Sequence, residues 1–153
     1  MIDNTTWEAF QKRLDYNEDH MDIFKKNPRN NRLINNMMNF NKNHSIIIEV
    51  IKSHGCNGGH KAGDILSVFD GSGNQITKYS PKTICIYALS RTYYKIYTVL
   101  EMISKGIAPS EIEMAFPNFS CPDVGIENGG WGQIIMGIRV VSRDQLSKLI
   151  NKQ

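Results

Sequence analysis

The amino-acid sequence predicts an α+β fold, with a small, mainly antiparallel sheet, one long covering helix and a helical N-terminal arm. Apolar residues recur at helical spacing up to residue 43, then β-branched runs alternate with glycine-rich segments, and helical spacing returns over residues 81–105. At 153 residues the chain has the length of one ordinary domain. We therefore expect a single domain, with an arm over 1–43 and an α+β core over 44–153.

The N-terminal arm is predicted to contain three helices. Thr5 and Glu8 have the spacing of a capping box for the first helix. Asn17 precedes acidic residues that suit the start of the second helix, and "NPRN" at 27–30 ends it. A third helix carries a methionine-rich stripe around Met37. We interpret the apolar side chains of the arm as packing against the domain or a second copy, so a homo-oligomer would form through these helices.

The middle of the chain is predicted to form a three-stranded meander. The run "SIIIEVIKS" is apolar on both alternating faces, as in a covered strand. "DILSVFD" and "QITKY" are the expected second and third strands, with "GSGN" as the turn between them. The later run "QIIMGIRVV" is expected to pair antiparallel with the first strand, and Ser142 then caps a short helix.

One long helix is predicted over residues 81–105. Ser80 is its expected N-cap, Pro81 fits the first helical position, and Gly106 is the expected C-terminal stop. Apolar side chains, with Cys85 among them, share one face of this segment. This helix should therefore cover the sheet.

The composition argues against nucleic acid and membranes as partners. The formal net charge is only +3 and the lysines are spread along the chain, so no surface is built to neutralise many phosphates. No window approaches the 18 or so apolar residues of a membrane span. The N-terminus lacks the basic start and apolar run of a secretory signal, and the expected location is cytoplasmic.

Three cysteines are the main candidates for chemistry. An odd number of cysteines in a chain without a signal argues against a disulfide framework and leaves buried thiols, ligands or nucleophiles. If the strands alternate in direction, Cys56, Cys85 and Cys121 converge at one end of the sheet, together with His54 and His60. Three thiolates and one imidazole form a tetrahedral ligand set for zinc, and such soft ligands also suit iron.

The residues leave three functions open. The leading hypothesis is a cytoplasmic protein that binds zinc or iron through Cys56, His60, Cys85 and Cys121, as an enzyme or enzyme subunit acting on a small molecule. The alternative is a metal-free enzyme with Cys56 or Cys121 as nucleophile and His60 as base. The third is a non-catalytic interaction module. Cys85 also lies on the apolar stripe, where a free cysteine is typically an inert core residue.

Three further side chains are candidate catalytic groups. Lys61 and Asp64 are candidates for general acid and base, although Asp64 beside Gly63 is also typical of a cap between a turn and a strand. Asp123 has two interpretations. In the first, Asp123 orients His60 from outside the ligand set, as metal-bound histidines commonly need. In the second, it forms a turn after Pro122.

Four segments, "CNGGHKAGD", "ICIYAL", "CPDVG" and "WGQIIMGIRVV", resemble the signature segments of a family of small uncharacterised proteins, mostly of anaerobic bacteria. The resemblance spans residues 45–141 and keeps the order and spacing of the motifs. It implies a shared functional site and no particular reaction. The residues that it marks are Cys56, His60, Lys61, Gly63, Asp64, Cys85, Cys121, Pro122 and Asp123.

Overall fold

Four antiparallel strands form the centre of the fold in the computed structural model, which describes residues 4–151. The strands are β1 (His44–His54), β2 (Ile65–Phe69), β3 (Phe119–Ser120) and β4 (Gln133–Ser142). Their order across the sheet is β2-β1-β4-β3, so β1 and β4 are the inner pair. The predicted α+β class and antiparallel sheet are confirmed, as is the pairing of the last long strand with the first.

Seven α-helices surround this sheet within residues 4–151. They are α1 (Asn4–Leu14), α2 (Glu18–Lys26), α3 (Pro28–Asn43), α4 (Ile86–Ser90), α5 (Tyr93–Ser104), α6 (Pro109–Met114) and α7 (Arg143–Ile150). Two short 3-10 helices lie at Thr77–Tyr79 and Ile126–Asn128. None of the helices in this part of the chain combines the length and the apolar character needed to cross a membrane.

Both faces of the sheet carry an apolar core. Successive side chains of a strand point to opposite faces, so Ile46 and Ile48 of β1 enter the first core while Ile47 enters the second. Helices α3, α4, α5 and α6 cover the first core, and Leu146 of α7 covers part of the second. The uninterrupted apolar run of β1 is explained by this burial on two sides.

The boundaries between the helices of the arm lie where the sequence predicts them. Asn17 Oδ1 accepts a hydrogen bond from His20 N at 2.9 Å at the start of α2. Asn27 Oδ1 accepts one from Arg29 N at 3.0 Å, so "NPRN" ends α2 and begins α3 at once. Thr5, the expected cap of the first helix, lies within α1 instead.

The aromatic side chains of the arm pack mainly on one another. The ring centroid of Phe10 lies 6.0 Å from that of Trp7 and 5.0 Å from that of Phe24. No described residue of α1 is buried, whereas α3 buries Ile34 and Phe40. Helix α3 is therefore the part of the arm that joins the core, and α1 attaches through this aromatic cluster.

The predicted third strand, "QITKY", is wrong. Gln75 forms only an isolated bridge with Phe69, and a 3-10 helix follows at Thr77–Tyr79. Ile76 and Tyr79 both pack on the second core. Residues three apart share one side of a helical turn but would point to opposite sides of a strand, so burial of this pair favours the turn.

The predicted long helix is also wrong, because α4 and α5 are separate and the residues between Ser80 and α4 are not helical. Ser80 closes the preceding 3-10 turn by donating its N–H to Thr77 O at 2.9 Å. At the junction of α4 and α5, the buried Thr92 donates its hydroxyl to Leu89 O at 2.7 Å, which competes with continuous backbone bonding. Gly106, with φ of 78°, ends α5 as expected.

An ion-pair cluster joins α6 to the sheet. Arg139 of β4 contacts Glu49 of β1 at 2.9 Å and Glu113 of α6 at 3.5 Å. The hydrogen bond with Glu49 is the main cause that raises the pKa of the Arg139 guanidinium above its usual value, and both carboxylates add to it.

Candidate functional site

The register of the sheet brings two cysteine segments to the same end. His54, the last residue of β1, pairs with Gln133, the first residue of β4. Ser120, the last residue of β3, pairs with β4 two residues further along. The chain therefore leaves the sheet toward Cys56 and toward Cys121 at one end, as the strand directions predict.

The segment 55–64, which we call the glycine loop, folds back so that His60 is buried. A turn closes where Gly59 N donates to Cys56 O at 3.0 Å. Ser53 Oγ then donates to the carbonyl oxygen of His60 at 2.6 Å. These backbone contacts leave the His60 residue only 4% exposed.

The ring of His60 carries an unsatisfied polar atom. Its Nε2 is buried and has no hydrogen-bond partner, and among residues 4–151 only Ser45 Oγ shares this condition. Burial of such an atom without a partner costs about 1–3 kcal/mol. Native proteins satisfy most buried polar groups, so this nitrogen is the atom of the loop that most needs an explanation.

Gly58 lies between His60 and Cys85. A Cβ atom placed on Gly58 would lie 3.1 Å from His60 Nε2 and 3.4 Å from the Cβ of Cys85. The imidazole nitrogen and the cysteine therefore flank the same point, where only a hydrogen atom fits without displacement. Cys85 is half-buried and immediately precedes α4.

The other two cysteines differ in their environments. Cys56 is half-buried, whereas Cys121 is 8% exposed. Cys121 Sγ accepts a hydrogen bond from Ile134 N at 3.4 Å, and Cys121 N donates to Ile134 O at 3.1 Å. All three cysteines are free thiols that pack on the first core. Cys121 is thus held by hydrogen bonds to β4, while Cys56 lies in the glycine loop.

The four predicted metal ligands lie near one end of the sheet without forming a ready ligand set. Within residues 4–151 no group of three or more His, Cys, Asp or Glu side chains is arranged to hold a metal ion. The arrangement brings the His60 imidazole and the Cβ of Cys85 close to Gly58, with Cys56 in the same loop and Cys121 after the neighbouring strand β3.

Lys61 and Asp64 form a turn at the end of the glycine loop. Asp64 Oδ2 accepts a hydrogen bond from Lys61 N at 2.7 Å, and Asp64 N donates to Lys61 O at 3.1 Å. Lys61 is exposed. Asp64 therefore caps the turn before β2, which is one of its two predicted roles. The Lys61 side chain faces solvent.

Asp123 shapes the loop before β4. Its Oδ1 accepts hydrogen bonds from Gly125 N at 2.9 Å and from Trp131 N at 3.2 Å. A Cβ atom on Gly130 would collide with the same carboxylate. Among the described atoms, the Asp123 carboxylate makes no hydrogen bond to His60. Its hydrogen bonds instead hold its own turn, the second of its two predicted roles. Trp131 is 71% exposed at this loop.

His54 lies on the opposite face of the sheet from this site. Ser53 faces the buried carbonyl of His60, so the next residue points away from it. His54 is exposed and lines a cleft of about 380 Å³ together with Lys52 and Glu127. The sequence did not predict this cleft, because its walls come from β1 and from the distant segment 124–128.

No protein-family model, curated protein or solved structure matches this chain. The resemblance noted in the sequence therefore stays a prediction. Any function must rest on the chemistry of the residues themselves.

Proposed function

We propose that this end of the sheet binds a transition metal ion, zinc or iron, and that the protein is an enzyme, or an enzyme subunit, acting on a small molecule. The observation that carries the proposal is the buried, unpartnered Nε2 of His60 beside Cys85. Neutral imidazole nitrogen and thiolate sulfur are the ligands that zinc and iron take from proteins. Coordination would satisfy the nitrogen that the fold leaves without a partner.

The residues that would hold the ion are His60 and Cys85, with Cys56 and Cys121 as further ligands. Because no group of three is ready within residues 4–151, at least one more thiolate has to move toward this pair. Cys56 is the better placed of the two, since it is half-buried in the same loop as His60, whereas Cys121 is buried and both its sulfur and its N–H bond to Ile134. Binding would tie separate segments together and so contribute to folding stability.

The chemistry depends on how many protein ligands bind. A metal with an open coordination position supplies Lewis-acid activation of water or substrate, and one with four protein ligands is structural. Of the three candidate catalytic groups, Lys61 faces solvent, whereas Asp64 and Asp123 accept hydrogen bonds from backbone N–H groups. Lys61 is therefore the side chain best able to bind a charged small molecule near the loop.

Metal-free thiol chemistry is the second candidate, and the exposure of the cysteines bears on it. A nucleophilic thiol must be reached by its substrate. Cys56 is half-buried, while Cys121 is buried and its sulfur accepts a hydrogen bond. Of the two predicted nucleophiles, Cys56 is the better supported, with His60 of the same loop as its base.

The test is elemental analysis of protein purified without oxygen, with thiol titration on the same sample. The informative variants are His60→Ala and Cys85→Ser, and the matched control is His54→Ala, which removes an exposed histidine from the other face. We expect roughly one metal ion per chain in the wild type and in His54→Ala, since a tetrahedral site holds one ion. His60→Ala and Cys85→Ser should lose most of it.

Two other outcomes would reject the proposal of metal binding. Metal-free protein whose stability is unchanged by a chelator, with one cysteine that is alkylated rapidly, would support the thiol enzyme. Metal-free protein without a reactive cysteine would reject both chemical functions and leave the non-catalytic interaction module as the remaining hypothesis.

A further inference from the structure

A second cleft lies between the junction of α4 with α5 and strand β3. Its volume is about 660 Å³, and its walls include Arg91, Tyr94, Lys95, Asn118 and Phe119. Clefts of roughly 300–1,000 Å³ are the size that accommodates small ligands. None of its lining residues is among the four proposed metal ligands.

The charge of this cleft is entirely positive. Arg91 lies at the junction of α4 and α5, Lys95 lies in the first turn of α5, and both line the cleft. Within residues 4–151 neither side chain forms an ion pair, and no acidic residue lines the cleft. Two uncompensated cations in a concave site attract anions.

Aromatic rings fix one of these cations and offer surfaces for stacking. Lys95 Nζ lies 4.8 Å from the ring centroid of Phe119 and 5.9 Å from that of Phe116. The ring of Tyr94 is 5.2 Å from that of Tyr93 in an edge-on contact, and residue Tyr94 is 78% exposed. One tyrosine face is thus open to a planar ligand beside the two cations.

We propose that this cleft binds a small anionic ligand in which a planar ring is joined to a phosphate, the chemistry of a mononucleotide. Arg91 and Lys95 bind the phosphate, because guanidinium and ammonium groups form charge-assisted hydrogen bonds with its oxygens. Tyr94 stacks on the ring, and the Asn118 amide offers hydrogen bonds to its edge. The limited cleft volume and the small net charge of the chain favour a single nucleotide over a polymer.

The test is calorimetric titration of the full chain with adenosine monophosphate, adenosine and inorganic phosphate. Lys95→Met keeps the apolar stem over Phe119 and removes the charge, and Lys148→Met on α7 removes a charge outside the cleft. We expect Lys95→Met and Arg91→Met to weaken binding of the monophosphate about tenfold or more, since each removes a charged hydrogen-bond donor. Tyr94→Ala should weaken the monophosphate but not phosphate, and added salt should weaken both.

His60→Ala should bind the monophosphate as the wild type does, which separates this cleft from the proposed metal site. Any of three results would overturn the proposal. They are absence of binding to the wild type, equal weakening by Lys148→Met, and binding of a single-stranded oligonucleotide without binding of the mononucleotide.

Discussion

His60 is held by its backbone and not by partners of its ring. Ser53 Oγ binds the carbonyl oxygen of His60, while Nε2 of the ring has no hydrogen bond. The loop therefore keeps its anchor whatever side chain residue 60 carries. Substitutions at this position remove the imidazole together with its buried packing, and the exposed His54 provides a comparison in which an imidazole is lost without that packing.

Gly58→Ala should weaken metal binding through one added methyl group. The methyl would press on the His60 ring, whose Nε2 lies 3.1 Å from its position, and would touch the Cβ of Cys85 at 3.4 Å. Crowding the His60 ring should lower the metal affinity about tenfold, because overpacking costs about 1–3 kcal/mol. The measurement is competition with a coloured zinc chelator.

Gly59→Ala is the control for that substitution. Its added Cβ would meet no atom within 4 Å, but its φ of 72° is strained for alanine. We expect Gly59→Ala to lower the free energy of unfolding by about 1 kcal/mol and to leave the metal affinity unchanged. Equal metal affinities in the two variants would place the ion away from Gly58.

At the level of elements, the site end of β1 and β4 depends on close backbone contact. A Cβ atom on Gly132, just before β4, would collide with the backbone of Gly55 and of His54. A Cβ atom on Gly137, within β4, would instead meet side-chain atoms of Asn118 and Ile51 at 3.1 and 3.2 Å. Backbone atoms cannot move aside as side-chain atoms can. We therefore expect a side chain to be tolerated at Gly137 better than at Gly132.

Gly132→Ala should be much more destabilising than Gly137→Ala. We expect Gly132→Ala to lower the free energy of unfolding by about 3 kcal/mol or more, and Gly137→Ala by less than about 1.5 kcal/mol, since only the former forces backbone apart. Urea unfolding followed by circular dichroism measures both. Similar losses in the two variants would show that the backbone contact at Gly55 does not hold the ends of the strands together.

Elements with strong local signals were predictable from the sequence. The apolar run of β1 and the capping box formed by Ser142 and Gln145 at α7 depend on neighbouring residues, and both appear as expected. The break before α5 depends on burial of Thr92, and the 3-10 turn depends on packing of the partly buried Ile76 and Tyr79 against the second core. Sequence spacing does not contain those tertiary contacts. The two-residue strand β3 was missed for the same reason, whereas α6 has local signals in the sequence, with Pro109 at its first position and Glu111 two residues later.

The candidate site was predictable in location but not in detail. Strand direction alone brings the glycine loop and the Cys121 segment to one end of the sheet. His54 and His60 have similar sequence surroundings, yet one is exposed and the other is buried. That difference arises from side-chain alternation along β1 and from the fold-back of the glycine loop, both of which need the three-dimensional structure.

Across the whole molecule, the proposed metal site and the first core are continuous. Cys56, Cys85 and Cys121 all pack on this core, which helices from the arm and from the middle of the chain cover. A ligand bound only by the folded state increases its stability by mass action. Metal binding at this site should therefore change the unfolding of the entire chain, not only the local mobility of the glycine loop.

The most direct test is the free energy of unfolding of His60→Leu relative to wild type, measured once with saturating zinc and once in chelator. Going from chelator to zinc at about 100 times its dissociation constant should shift the stability difference in favour of the wild type by about 2–3 kcal/mol, the contribution expected from linked binding. In chelator the difference should vanish or reverse, because leucine removes a buried nitrogen whose lack of a partner costs about 1–3 kcal/mol. The same stability difference in both conditions would contradict a metal ligand at His60.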